Sequence, residues 1–376
     1  MQHIKKLDSL RAIAAILVIL WHWIPTDNVI NTFNNGAIGV NIFFVLSGFL
    51  ITRILLTNRN EAEILNNNKL PVFKNFYARR ALRIFPIYYL LVLLILLFHH
   101  YLGAKFSKAE FINSVAYTIN FYFFKLEHWG DLTVHFWSLA VEEQFYLFWP
   151  FIMLFVNRKY LVHAISLFIA VGVLTQCFIK VPEFGYIPTY TCFDSFGLGA
   201  LLAWIIMYKA NLLGRLYNIL SILSVLCIIV LISQINHGTW AHVPQRTIHS
   251  IIALWMITYV VLEKGKGWFS FSAFLNNKFL FFLGKISYGI YLYHVPVQWF
   301  GLILSRLINK YLPFSFVRQY NFYIMLVINF CLLIFISWLS WKIIEKPVLR
   351  LKKYFNYQSK KLPGIEEKKA IALNSV

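Results

Sequence analysis

Ten apolar runs separated by short polar connections dominate the chain, near residues 10–25, 36–56, 86–103, 139–157, 160–179, 192–208, 216–234, 247–262, 280–304 and 322–344. An α-helix crosses a bilayer with about 17–25 apolar residues. The pattern therefore predicts an all-α integral membrane protein, a bundle of about ten transmembrane helices. The stretch 104–138 departs from it, because its most apolar part, EFINSVAYTINFYFF, is short and carries Asn113 and Asn120. It reads as an outer loop with one interfacial amphipathic helix. One transmembrane domain over 1–350 is expected, followed by a basic cytoplasmic tail over 351–376 that is polar and disordered. The apolar start lacks a small-residue cleavage site and reads as a retained helix.

Charge adds a direction. An even number of spans puts both termini on one side. With both inside, the inner segments hold about 27 Lys plus Arg against about 8 outside, the positive-inside bias. The opposite orientation inverts it. Both termini are therefore expected in the cytoplasm. Composition agrees: 59% of residues are hydrophobic and 13% charged, where a soluble domain is nearer one quarter charged. The net charge of +20 does not indicate nucleic acid, since the cations sit in connections between apolar runs. Four cysteines at irregular spacing give neither a disulfide framework nor a metal knuckle.

Against this background, polar residues inside apolar runs are the candidates for chemistry. The first run, LDSLRAIAAILVILWHWIP, carries Arg11 and His22. Eleven helical steps turn about 1100° and rise about 16 Å, so the two share a face, Arg11 near one surface and His22 toward the other. In the second run, helix packing accounts for Gly36 and Gly39. The Ser47-Gly48 pair at mid-membrane predicts a gap for a thin ligand arm. The loop FYARRALRIFPIYYL offers Arg79, Arg80 and Arg83 before Pro86, which is expected to open the next helix. They serve either as positive-inside anchors or as a clamp for a polyphosphate such as that of coenzyme A, because arginine forks match phosphate geometry.

The fourth run opens HFWSLAVEEQFYLFWP. Its Trp137, Tyr146 and Trp149 suit an interfacial belt, which leaves Glu142 and Glu143 unexplained. Two buried anions one residue apart are unfavourable, so one is expected to face a wet cavity. His294, in ISYGIYLYHVP, and Glu345, in WKIIEKP, complete the set. A lone buried histidine is often a satisfied core residue, and Glu345 most simply forms an ion pair with basic neighbours. On the topology these residues form two layers. Arg11, Arg53, Arg79, Arg80, Arg83 and Glu345 lie at the inner face, and His22, His135, Glu142, Glu143 and His294 toward the outer face. Phosphate binders inside and general-base candidates outside suit group transfer across a membrane.

The ordered segments LDSLRAIAAILVILWH, GVNIFFVLSGFLITRILL, FYARRALRIFPIYYL, HFWSLAVEEQFYLFWP, ISYGIYLYH and EKP resemble the motifs of the membrane acyltransferase-3 family from Leu7 to Lys346. The resemblance implies a multi-pass enzyme of the bacterial inner membrane that moves an acyl group from cytoplasmic acyl-CoA to surface or exported glycans. The family's Arg–ten–His motif falls on Arg11 and His22, its Phe-Phe-x-x-Ser-Gly motif on Phe43, Phe44, Ser47 and Gly48, and its Arg-x-x-Arg motif on Arg80 and Arg83. It implies that His22 is essential and that Glu142 belongs to the glutamate block. A standalone form is expected, without the SGNH-type esterase-like domain of some relatives. The acceptor then reaches the membrane core itself or through glycan-assembly partners.

These expectations assemble into a mechanism. Acetyl-CoA, with no metal, docks through Arg79, Arg80 and Arg83, and its arm threads past Phe43, Phe44, Ser47 and Gly48. His22, tuned by Glu142 or another acid and flanked by Glu143 and His294, deprotonates a sugar hydroxyl, with Arg11 stabilising charge. An acyl-histidine route through His22 is equally open. The acyl group is acetyl or succinyl, and acceptors from lipopolysaccharide to peptidoglycan fit. The rival from another class is a transporter or flippase for a glycan or lipid-linked sugar.

Overall fold

The structure, a computed structural model, describes residues 4–25, 27–179, 181, 183–237, 243–264, 270–311 and 315–356. Among them every regular element is helical. The helices are α1 (Lys5–Trp23), α2 (Asn35–Ile64), α3 (Leu70–Phe98), α4 (Lys108–Val115), α5 (Ile119–Leu126), α6 (Phe136–Phe155), α7 (Arg158–Phe178) and α8 (Phe193–Tyr208). They continue with α9 (Leu213–His237), α10 (Gln245–Val261), α11 (Phe271–Leu275), α12 (Lys278–Lys285), α13 (Ser287–Tyr311), α14 (Ser315–Ser340) and α15 (Lys346–Arg350). A π-helical turn, Trp341–Glu345, joins the last two. Of the expected tail, Leu351–Tyr354 forms a 3-10 turn, and 357–376 lie outside the described residues.

The apolar runs fall on helices, with the run near 280–304 divided between α12 and α13 at Ile286. Among the described residues, six stretches are long and apolar enough to cross a membrane: Val29–Ile64, Leu70–Phe98, Arg158–Phe178, Thr189–Tyr208, Ala210–Ile235 and Asn321–Tyr354. This is a multi-pass membrane protein. The remaining long helices, α1, α6, α10 and α13, carry Arg11, Glu142, Glu143, Arg246 and His294; Arg246 and His294 are buried, and Arg11, Glu142 and Glu143 line an internal cavity. The apolar window of Val29–Ile64 is 67% buried and that of Ala210–Ile235 only 11%. So α2 is a central post and α9 a lipid-facing wall.

The central post depends on glycine. A Cβ on Gly48 would stand 2.1 Å from the Phe196 carbonyl oxygen, and one on Gly199 would stand 2.0 Å from that of Val45. Only hydrogen fits at either place, so α2 and α8 touch backbone to backbone. This corrects the expected role of Gly48: its missing side chain admits α8, not a ligand arm. Gly36 and Gly39 pack against Trp21 and Ala14 of α1, as helix contacts should.

Two further boundaries differ from expectation. Pro86 lies inside α3, and Pro71 occupies the helix start instead. The helix runs through the three arginines as one rod of 29 residues. The 104–138 region holds two short helices rather than one. Their junction turns at Tyr117, with φ +53°, and its ring stacks on Tyr88 with centroids 4.4 Å apart. Tyr88 Oη donates to the Ser114 carbonyl at 2.8 Å, while Gln144 Nε2 donates to Asn120 Oδ1 at 2.9 Å. The asparagine that argued against a span is buried because α6 supplies its partner.

Candidate active site

A cavity opens where α1, α2, α3, α6 and α13 converge. Its wall includes Arg11, Phe43, Phe44, Ser47, Arg80, Arg83, Ser138, Glu142, Glu143, Tyr146, Tyr288 and Tyr291. The helix period explains who points in. Arg80 and Arg83, three residues apart, share a face of α3. Arg79 is turned about 100° away and donates through Nη1 to the Lys352 and Phe355 carbonyls at 3.0 and 3.1 Å. Arg79 thus holds the C-terminal segment and is absent from the cavity wall, a correction to its grouping with the phosphate clamp. Arg53, over the ring of Phe49 at 5.8 Å, is likewise not in the wall.

The charges within the wall are balanced locally. Arg11 Nη1 pairs with Asp8 Oδ1 at 2.8 Å. Ser47 Oγ donates to Glu142 Oε1 at 2.6 Å and accepts from Tyr146 Oη at 3.0 Å. Arg80 lies over the ring of Tyr146 at 5.2 Å. Ser47 therefore serves as a polar link that fixes one carboxylate. The aromatics of α6 do not form an interfacial belt: Trp149 is fully buried and donates to Thr52 Oγ1 at 2.7 Å, and Tyr146 faces the cavity.

The histidines gather apart from the charges. The His22 and His294 ring centroids are 4.9 Å apart, and those of His135 and His294 are 4.8 Å apart. The two-layer arrangement needs revision accordingly. Glu142 and Glu143 line the same cavity as Arg11, Arg80 and Arg83, whereas His22, His135 and His294 form a separate cluster. Tyr291 joins the two groups. It lines the cavity, its hydroxyl bonds Ser138 Oγ, and its ring lies 5.5 Å from His294 and 6.0 Å from His135. The side chain beside His22 is thus an imidazole, while Glu142 is engaged with Ser47.

A family profile for the acyltransferase domain matches residues 4–346. The chain belongs to the acyltransferase-3 family. Its similar proteins include the O-acetyltransferase OatA of Staphylococcus aureus (strain NCTC 8325 / PS 47), 26% identical over 92% of this chain. They also include the peptidoglycan O-acetyltransferase OatA of Listeria monocytogenes serovar 1/2a (strain ATCC BAA-679 / EGD-e), 28% identical over 95% of the chain. The chain spans 57% of the length of each of these relatives. No solved structure matches significantly. Membership implies an acyl donor. Among the described residues, no group of three or more His, Cys, Asp or Glu side chains is arranged to hold a metal ion.

Several residues around this cavity are less legible in the sequence. Asp8, three residues before Arg11, has the spacing of a helical ion pair and forms one. Arg246 is 5% exposed and lies over the rings of Phe44, Trp137 and Tyr186 at 5.7, 5.8 and 5.7 Å. It donates to Asn41 Oδ1 at 3.2 Å and so stiffens the back of the cavity wall through Phe44. Near it, fully buried Asp194 accepts from Thr247 Oγ1 at 2.7 Å. A carboxylate inside the apolar run of α8 carries the same signal that singled out Glu142. Glu345 departs from its expected ion pair. It is 6% exposed, its Oε1 lacks a hydrogen-bond partner, and it takes part in none of the ion pairs formed by the described residues.

Proposed function

We propose that this chain is an O-acetyltransferase of the bacterial inner membrane that moves an acetyl group from cytoplasmic acetyl-CoA to a hydroxyl of a cell-envelope glycan. The supporting observation is the joining, at Tyr291, of an arginine- and glutamate-lined cavity to a cluster of three histidines. Donor recognition needs fixed cations for the polyphosphate, which Arg80 and Arg83 supply. Acceptor activation needs a base that burial can keep neutral, which an imidazole supplies. The names of the relatives favour peptidoglycan as the acceptor.

On this reading ten helices span the membrane with both termini in the cytoplasm. The diphosphate of acetyl-CoA binds Arg80 and Arg83, and its arm passes Phe43, Phe44 and Ser47. His22 takes the proton of the sugar hydroxyl as the oxygen attacks the thioester carbon. Arg11, held by Asp8 about three helical turns from His22, counters negative charge on coenzyme A beside Arg80 and Arg83. The C–S bond breaks, and the thiolate recovers the proton from His22. Glu142, fixed by Ser47, and Glu143 balance the arginines.

The test uses the full chain in sealed proteoliposomes with acetyl-CoA and an oligosaccharide of N-acetylglucosamine and N-acetylmuramic acid. Thiol release that depends on the oligosaccharide, together with an acetyl ester on the sugar by mass spectrometry, is expected. Movement of glycan across the bilayer without thiol release identifies a transporter and overturns the proposal.

A further inference from the structure

Two buried imidazoles in the histidine cluster have their proton placement fixed by backbone. His294 is fully buried and His135 is 1% exposed, so each is held neutral, with one ring proton. His294 Nδ1 lies 2.6 Å from the Tyr291 carbonyl, and His135 Nε2 lies 2.9 Å from the Leu292 carbonyl. A carbonyl oxygen only accepts, so those nitrogens carry the protons. The opposite nitrogens, His294 Nε2 and His135 Nδ1, are left as lone pairs with no partner. A buried acceptor without a donor is costly.

A candidate donor lies beside His294. Its Nε2 makes no hydrogen bond as the rings stand, but the His22 and His294 ring centroids are 4.9 Å apart, tilted by 53°, so a rotation of the His22 ring can bring its N–H into hydrogen-bond range of that nitrogen. The two backbones are also tied to each other. Trp23 Nε1 donates to the His294 carbonyl at 3.1 Å, and Gln298 Nε2 donates to the His22 carbonyl at 2.6 Å. These bonds clamp the end of α1 to α13 on both sides of the ring pair. His135 meets His294 edge-on, with ring centroids 4.8 Å apart.

We propose that His294 is a positioning residue for His22: its Nε2 lone pair accepts the ring N–H of His22, which aims the other nitrogen of His22 at the acceptor hydroxyl. This takes the orienting role that a carboxylate plays beside many catalytic histidines. The inference rests on the function proposed above. When His22 takes the hydroxyl proton it becomes an imidazolium. His294 Nε2 continues to accept from it, and the proton passes from His22 to the departing thiolate.

The experiment compares the wild type, His22→Ala, His294→Asn and His294→Gln as full chains in nanodiscs with acetyl-CoA and the oligosaccharide. Asparagine keeps a donor toward the Tyr291 carbonyl and offers nothing at the Nε2 position. Glutamine places an acceptor oxygen near Nε2. Loss of orientation is expected to lower kcat about 10–100-fold in the asparagine variant, with KM for acetyl-CoA within about twofold. The glutamine variant should recover most of that loss. A purely structural histidine predicts the reverse order, since asparagine preserves the carbonyl bond. Equal kcat in all His294 forms, or asparagine outperforming glutamine, overturns the inference alone. Full activity of His22→Ala, or no thiol release by the wild type, overturns the underlying reading. Should the variants fail to reach the membrane, 15N-labelled histidine in the wild type decides: a nitrogen–nitrogen coupling across the His22–His294 bond is expected, and its absence rejects the bond.

Discussion

The cavity and the histidine cluster are two polar islands in one apolar bundle, and they are stabilised in different ways. The cavity keeps charge: arginines and glutamates share it, and polar links such as Ser47 with Glu142 and Asp8 with Arg11 hold each in place. The histidine cluster avoids charge. Its buried rings give their single protons to backbone carbonyls of α13. A charge in a membrane needs counter-charge or water, whereas a neutral imidazole needs one acceptor for its N–H and one donor for its lone pair. A group-transfer site can exploit that contrast, binding an anionic donor in one island and keeping a base uncharged in the other.

The largest expected effect lies in the neutral island. His22→Ala should lower acetyl transfer by roughly 10²–10⁴-fold while the protein accumulates in the membrane at wild-type levels. Residual transfer near wild type would show that the base is elsewhere. In the charged island, Arg83→Ala and Arg80→Ala are each expected to raise KM for acetyl-CoA about tenfold and to alter kcat less. That split follows if they bind the donor equally in the ground and transition states. A loss confined to kcat would instead move the arginines from donor binding to chemistry.

The sequence announces some parts of this contrast and conceals others. Arg80 and Arg83 are legible because their spacing matches the helix period, and the helices themselves because a bilayer demands long apolar runs. Grouping Glu142 with the histidines failed for a geometric reason. Position in an apolar run gives depth along the membrane normal, but the bond from Ser47 draws Glu142 to the α2 side of α6, toward the arginines. The proton placement on His294 was invisible, since it depends on which carbonyls α13 presents. Gly48 misled for another reason: a small residue signals close approach, yet nothing in the run says whether a ligand or another helix approaches. Here it is the backbone of Phe196.

A smaller effect is expected at the link that fixes the carboxylate. Ser47→Ala removes the donor to Glu142 and the acceptor of Tyr146 Oη but leaves the carboxyl and the phenol in a cavity that can admit water. A several-fold fall in kcat is predicted, with Ser47→Thr retaining more activity than alanine because it keeps the hydroxyl. If alanine and threonine variants transfer equally well, the hydroxyl does not hold the carboxylate for catalysis, and the charged island is organised by its arginines alone.

The smallest effect should come from Arg79, next in sequence to Arg80 but turned out of the cavity. Its bonds go to the Lys352 and Phe355 carbonyls, so Arg79→Ala should free the C-terminal segment without touching the donor. KM for acetyl-CoA is expected to stay within about twofold of wild type, while limited proteolysis near residues 352–355 becomes faster. A tenfold rise in KM, with proteolysis unchanged, would place Arg79 among the donor contacts after all. The edge of the charged island would then lie one residue earlier along α3.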